Sequence, residues 1–136
     1  MAHRYNVSKL LEVLVVRALA ERMTRRNMHV VLNTLTPGFT RSEIARENYG
    51  LGIKIAYAVM ARKTDVGART LVSAACAGPK SHGGYMADGE VVEDGRSTGV
   101  SKFVRSEEGR MVQERVWAEL KAKLEGIKPG ITGVVD

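Results

Sequence analysis

The sequence predicts an α/β fold in which strands lie parallel and helices cover them. Three observations carry this. Helical and β-rich stretches follow in the order helix, strand, broken helix, helix, strand, helix, and strands separated by helices pair in parallel. The hydrophobic fraction, 44%, is that of a folded domain. Only two strands are legible, and a two-stranded parallel sheet is not stable alone, because parallel sheets need several strands and helices on both faces. The chain therefore reads as the edge of a larger sheet, a single partial domain over residues 1–136.

Each element follows from its pattern. From about Asn6 to Arg26 the residues Leu10, Leu11, Val13, Leu14, Val15, Val16, Leu19 and Met23 make a helix apolar on most faces, and such a helix is buried between other elements. The run from His29 to Leu35 is short and β-rich, and Pro37-Gly38 stops it as a strand. Helical pattern resumes from about Ser42 to Arg62, broken by Gly50 and Gly52 into two pieces with a bend. Thr64 or Asp65 caps the next helix, which carries Ala68, Leu71, Val72, Ala75 and Cys76 and ends at Gly78-Pro79. Gly84 to Ala87 is a short strand, alternatively a hairpin of Tyr85-Met86-Ala87 against Glu90-Val91-Val92 across Asp88-Gly89. Residues 93–102 connect to a last helix capped by Ser106, whose Val112, Val116, Leu120 and Leu124 share one face beside Trp117. Gly126 and Pro129 close it, and the tail from Ile127 to Asp136 is expected to fray.

Composition narrows the function classes. The formal charge is +6, but the basic residues are spread along the chain without an aromatic-basic stripe, so nucleic acid is not the expected partner. The one cysteine, Cys76, forms no disulfide within a monomer and is read as a small buried hydrophobe. His3, His29 and His82 are far apart and have no ligand spacing around them, so no metal site is expected. Glu12 and Arg17 interrupt the apolar stretch from Leu10 to Ala20, which is too short for a membrane span and is not a signal peptide. A reducing, cytoplasmic location is the default.

The stretch Tyr5-Asn6-Val7-Ser8-Lys9 places a tyrosine and a lysine four apart, on one face of a helix if the helix begins early enough. A free tyrosine titrates near pH 10, and a cation held beside one favours the tyrosinate. A pair of this kind acts as a general acid–base on a carbonyl or alcohol. Spacing alone is shared by any exposed tyrosine and lysine at a helix start.

Context adds to it. Tyr5-x-x-Ser8-Lys9 opens an apolar helix, and a buried strand ending in Pro37-Gly38-Phe39-Thr40-Arg41-Ser42 follows. The stretches Arg69 to Ala75 and Gly83-Gly84-Tyr85-Met86 supply a further helix and a last strand. Together these resemble the second half of a short-chain dehydrogenase/reductase, most closely the retinol-dehydrogenase-like branch with its basic helical extension ending near Pro129-Gly130-Ile131. The resemblance implies the C-terminal part of a Rossmann-like doubly wound parallel sheet, with the N-terminal nucleotide-binding half absent. It implies a catalytic-motif helix over residues 1–26, a strand and Pro-Gly turn over 27–42, substrate-covering helices over 43–63, a helix and last strand over 64–92, and a C-terminal extension over 93–136. Tyr5 would be the acid–base. Lys9 would favour its ionised form and bond the nicotinamide ribose hydroxyls. Pro37 and Gly38 would let the backbone pass close to the nicotinamide, since glycine has no Cβ. Thr40 and Ser42 would hold the carboxamide end. The cofactor is NADP or NAD, with NADP preferred, and the substrate a small carbonyl or alcohol.

The chain has no glycine-rich pyrophosphate turn of the kind that follows a nucleotide-binding strand. Gly50-Leu51-Gly52 has no strand before it and lacks the third glycine. Alone, the chain is therefore expected neither to bind NAD(P) tightly nor to turn over. Its apolar first helix and open strand edge are expected to favour self-association. The alternative is a non-catalytic interaction protein derived from such an enzyme, pairing with a full-length relative.

Overall fold

The structure, a computed structural model, describes residues 2–40, 61–92 and 99–136. Ser42, Gly50 and Gly52 lie outside the described residues, as do residues 43–60 of the expected substrate-covering region and 93–98 of the connecting stretch. The elements run α1 (Ala2–Arg25), β1 (Thr34–Thr36), α2 (Thr64–Ala75), a 3₁₀ turn (Pro79–Ser81), β2 (Tyr85–Ala87), β3 (Glu90–Val91), α3 (Lys102–Arg105) and α4 (Glu107–Ile127).

Helix α1 begins four residues earlier than the apolar pattern predicts and stops on a residue the pattern does not flag. Asn27 takes φ 51°, the Met28 N–H donates to the Met23 carbonyl and the Asn27 N–H to the Thr24 carbonyl. This left-handed cap satisfies the last carbonyls, and asparagine tolerates it better than most residues. Burial along α1 is uneven. Leu14, Ala18, Ala20 and Met23 are buried, whereas Tyr5, Val7 and Leu11 are exposed. The expected all-round burial is not met: the C-terminal half packs on α4 but leaves Glu21, Thr24 and Arg25 exposed.

That interface is built on Arg22. Its guanidinium lies 4.7 Å from the Trp117 ring, donates to Glu114 at 2.8 Å and to Asp136 at 3.3 Å, and returns a bond to the Ala18 carbonyl at 3.0 Å. Gln113, fully buried, donates to Glu21 and accepts from Arg17. Helix α4 starts where the sequence predicts, with the Ser106 Oγ accepting the Gly109 N–H at 3.1 Å. Ser101 caps α3 in the same way through Val104.

The sheet is three-stranded and mixed among the described residues, in the order β1-β2-β3. Strands β1 and β2 are parallel, Thr34 opposite Tyr85 and Thr36 opposite Ala87; β2 and β3 are antiparallel, Met86 opposite Val91. The hairpin is therefore present and the two-stranded parallel sheet is not. Asp88 and Gly89 both take positive φ, 53° and 85°, as a two-residue hairpin turn matched to strand twist requires. The first strand is also shorter than predicted. Pairing begins where the Gly83 N–H meets the Leu32 carbonyl at 2.7 Å. Ahead of that point the neighbouring chain is the 3₁₀ turn and His82, not a strand, and Val30 and Val31 are exposed.

Side chains tie the layers together. His82 Nδ1 accepts the Leu32 N–H at 3.1 Å, which leaves its Nε2–H to donate to the Ala20 carbonyl at 3.0 Å, so one imidazole joins α1 to the sheet. Asn33 Nδ2 donates to the Ala74 carbonyl and the Ser81 Oγ, both at 2.9 Å, and joins β1 to α2. Three further expectations are corrected. The N-cap of α2 is Lys63 and makes no side-chain cap bond; Thr64 is already helical, and Asp65 pairs with Arg69 within the first turns. Cys76 is exposed, because α2 turns its small residues Gly67, Thr70 and Ala74 inward and leaves Leu71 and Val72 in solvent. The C-terminal tail does not fray. The Glu125 carboxylate accepts the N–H and Oγ1–H of Thr132, and Asp136 reaches Lys121 and Arg22.

Candidate functional site

Because α1 begins at Ala2, Tyr5 and Lys9 both sit on helical backbone and face the same way. The Lys9 Nζ lies 5.8 Å from the Tyr5 ring centroid. Both side chains are exposed. Between them Ser8 turns its Oγ back to donate to the Tyr5 carbonyl at 2.8 Å. Lys9 is held on its other side by Glu12, whose two carboxylate oxygens are each 3.0 Å from Nζ. That hydrogen bond, with the charge of Glu12, raises the Lys9 pKa above the ordinary lysine value, so the ammonium beside Tyr5 stays charged at neutral pH.

The second cluster lies at the carboxyl end of the parallel strands, where ligands of open α/β sheets bind. Strand β1 runs into Pro37, and Gly38 turns the chain at φ 73° with its N–H donated to the Thr36 Oγ1 at 3.2 Å. Glycine is required by that φ, since other residues are strained there. Thr40 then pairs with Arg62 as an isolated parallel bridge, and the Arg62 N–H donates to the Phe39 carbonyl at 2.8 Å. Pro37 and Thr40 are pressed against α2 at Gly67, where a Cβ would collide with the Thr40 methyl. On its other side the turn meets Arg62. The guanidinium would lie 3.6 Å from a Cβ on Gly38, and it pairs with Asp88 in the β2–β3 turn. The pairing holds the Asp88 carboxyl below the usual carboxylate range, through the hydrogen bond first and the charge second. An open groove of about 430 Å³ runs past Arg62, Val66, Arg69, Thr70, Ser73, Asp88 and Gly89.

The structure thus brings Tyr5 together with Lys9, and Pro37 with Gly38 and Thr40, as two clusters on separate elements. Sequence reading missed Gly67, and it placed Arg62 only at the end of a helical stretch and Asp88 only in a turn, without a part in the site. A glycine inside a helical pattern is a signal of close packing, so Gly67 could have been found. The partnership of Arg62 with a residue 26 positions later carries no such signal. Among the described residues no three His, Cys, Asp or Glu side chains gather as metal ligands, and no helix is long and apolar enough to cross a membrane.

Comparison with known proteins bears on what these clusters are. No family model matches the chain, and no solved structure matches it. Curated proteins do. The chain is 44% identical over 128 residues to the short chain dehydrogenase/reductase dmxR8 of a Cryptosporiopsis species, covering 94% of this chain and 38% of that relative. It is 38% identical over 138 residues to the short-chain dehydrogenase anuD of Penicillium roqueforti, covering 96% and 35%. A third relative, the short chain dehydrogenase rstn4 of Aspergillus nomiae, is 32% identical over 124 residues, covering 90% and 31%.

The chain belongs to the short-chain dehydrogenase/reductase family. It spans about a third of the length of the curated relatives it matches. Short-chain dehydrogenase/reductase sequence thus fills nearly the whole of these 136 residues, and the small α/β layer is compatible with part of a Rossmann-like sheet.

Proposed function

We propose that the chain is the part of an NAD(P)-dependent oxidoreductase that interconverts a carbonyl and an alcohol, with Tyr5 as the general acid–base and Lys9 as its cationic partner. The observation that carries this is the geometry at the start of α1, where a helical Tyr5 has a charged lysine over its ring face side. Glu12 holds that lysine charged through its hydrogen bond and its charge, so the group beside the phenol is an ammonium. Tyr5 would donate its proton to a substrate oxygen in reduction and accept one in oxidation.

The residues present fit the nicotinamide end of a dinucleotide. Pro37 and Gly38 are exposed at the carboxyl end of β1, and Thr40 follows two positions on. A bound NADP or NAD would supply or accept the hydride. In this reading Pro37 and Gly38 line the ring, Thr40 and Ser42 hold its carboxamide, and Lys9 reaches the ribose. The 136 residues contain no glycine-rich turn for the diphosphate, so catalysis is expected to need a further nucleotide-binding half.

The test is to supply that half. The chain is combined with the N-terminal portion of a related enzyme such as dmxR8, and NADPH oxidation is followed over a panel of small carbonyl compounds. Activity is expected in the combination and not in the chain alone. Tyr5→Phe should lower it by at least 100-fold, of the order of a general acid–base contribution, and Lys9→Ala should lower it too. Full activity in Tyr5→Phe would overturn the assignment.

One observation favours a second reading, a non-catalytic protein that pairs with a full-length relative. Strand β1 is at the sheet edge among the described residues, with Val30 and Val31 exposed at 56% and 40% beside it. Recovery of such a relative with the tagged chain, lost in Val31→Lys, would support pairing through that edge.

A further inference from the structure

We propose that Arg62 is a positioning residue for the Pro37-Gly38 turn, clamping it to the turn that ends β2 through the ion pair with Asp88. The consequence for the dinucleotide rests on the reading above: with the turn fixed, its exposed backbone has one place relative to the last strand.

Arg62 acts at three points. Its backbone N–H closes on the Phe39 carbonyl at 2.8 Å, its strand-like bridge pairs with Thr40, and its guanidinium lies against Gly38 on the way to Asp88. One residue therefore spans from the segment following β1 to the hairpin following β2. Nothing in the β1–β2 ladder itself fixes that spacing, because the ladder ends at Thr36 and Ala87. Asp88 is also a telling choice. Its position needs a positive φ, 53°, which asparagine meets as well as aspartate. The turn alone does not call for a charge; the arginine does. Both side chains are well exposed, 44% and 60%, and exposed pairs contribute little to global stability. The effect of the pair is therefore local.

That distinction makes the test clean. Amide hydrogen exchange is measured on the 136-residue chain and on Asp88→Asn and Arg62→Gln. Asp88→Asn keeps the turn and removes only the charge. Exchange at Gly38, Thr40 and Arg62 is expected to rise several-fold in both single variants. Amides of the α1–α4 core, such as Leu14 and Trp117, should stay unchanged throughout. Unchanged exchange at the turn in both single variants, or an equal rise across the core, overturns the proposal. The measurement needs no dinucleotide, so its failure is distinct from failure of the oxidoreductase reading, which the Tyr5→Phe activity decides.

Discussion

Two glycines in helices show how far one methyl group can matter. Gly67 of α2 faces Thr40 and Pro37, and a Cβ there collides with the Thr40 methyl. Overpacking of this kind costs about 1–3 kcal/mol. Gly126 of α4 has nothing within 4 Å of a built Cβ, and glycine in a helix costs roughly 0.5–1 kcal/mol relative to alanine. The same substitution should therefore act in opposite directions. Urea denaturation should show Gly67→Ala less stable and Gly126→Ala slightly more stable than the parent, and two shifts of the same sign would contradict the packing at one of the sites. His82 is the third residue of this kind. Its imidazole satisfies the Leu32 N–H and donates to the Ala20 carbonyl. His82→Ala removes both bonds and should destabilise by about 1–3 kcal/mol, the range for half-buried backbone groups left unpaired. A loss below a few tenths in the same denaturation series would mean water replaces the ring.

At the scale of elements, charge holds the C-terminal tail in place. Thr132 is buried, and its hydroxyl and N–H both bond the Glu125 carboxylate at 2.6 and 2.8 Å. Those bonds, the hydroxyl first, hold Glu125 below the ordinary carboxylate range. Lys121, at 2.7 Å, does the same for Asp136. Folded-state carboxylates with lowered pKa values stabilise the folded form above their unfolded pKa, and that contribution is lost as pH falls through the folded value. The tail should thus stay docked at neutral pH and release on acidification past the normal carboxylate range. Amide exchange at Thr132 and Val135 followed from pH 7 downward reads this directly. Glu125→Gln should show the released pattern already at pH 7, while a tail still protected in that variant would place its anchor on Asp136 alone.

At the scale of the whole molecule, the sheet has an open side. Strand β1 ends the order β1-β2-β3 among the described residues, and Val30, Val31, Tyr5, Val7 and Leu11 are exposed. Open strand edges and apolar patches of this kind pair with other chains. Sedimentation of the purified chain should give a mass that rises with concentration. A charge beside the edge, Val31→Lys, should move it toward the monomer. A monomer at every concentration in the parent would mean the edge is already covered.

The sequence by itself determined the α/β class, the reach of the last helix with its Ser106 cap and the alignment of Tyr5 with Lys9, and it offered the Asp88-Gly89 hairpin as the alternative to a single strand. All of these depend on neighbours within a few residues, through helical spacing, capping chemistry and turn geometry. The family resemblance was legible for the same reason, as a motif on one helix followed by a strand and a Pro-Gly turn. What only the tertiary structure decided depends on partners far along the chain. The first strand stops short at its start because the 3₁₀ turn, not a strand, lies beside Val30 and Val31. The tail docks because Glu125, Lys121 and Arg22 happen to face it. Gly67 and the Arg62–Asp88 pair define the shape of the Pro37-Gly38 turn because folding brings α2 and the hairpin to it. Local pattern fixes which elements form; the placement of the turn that would meet a cofactor is set by contacts that no short-range pattern encodes.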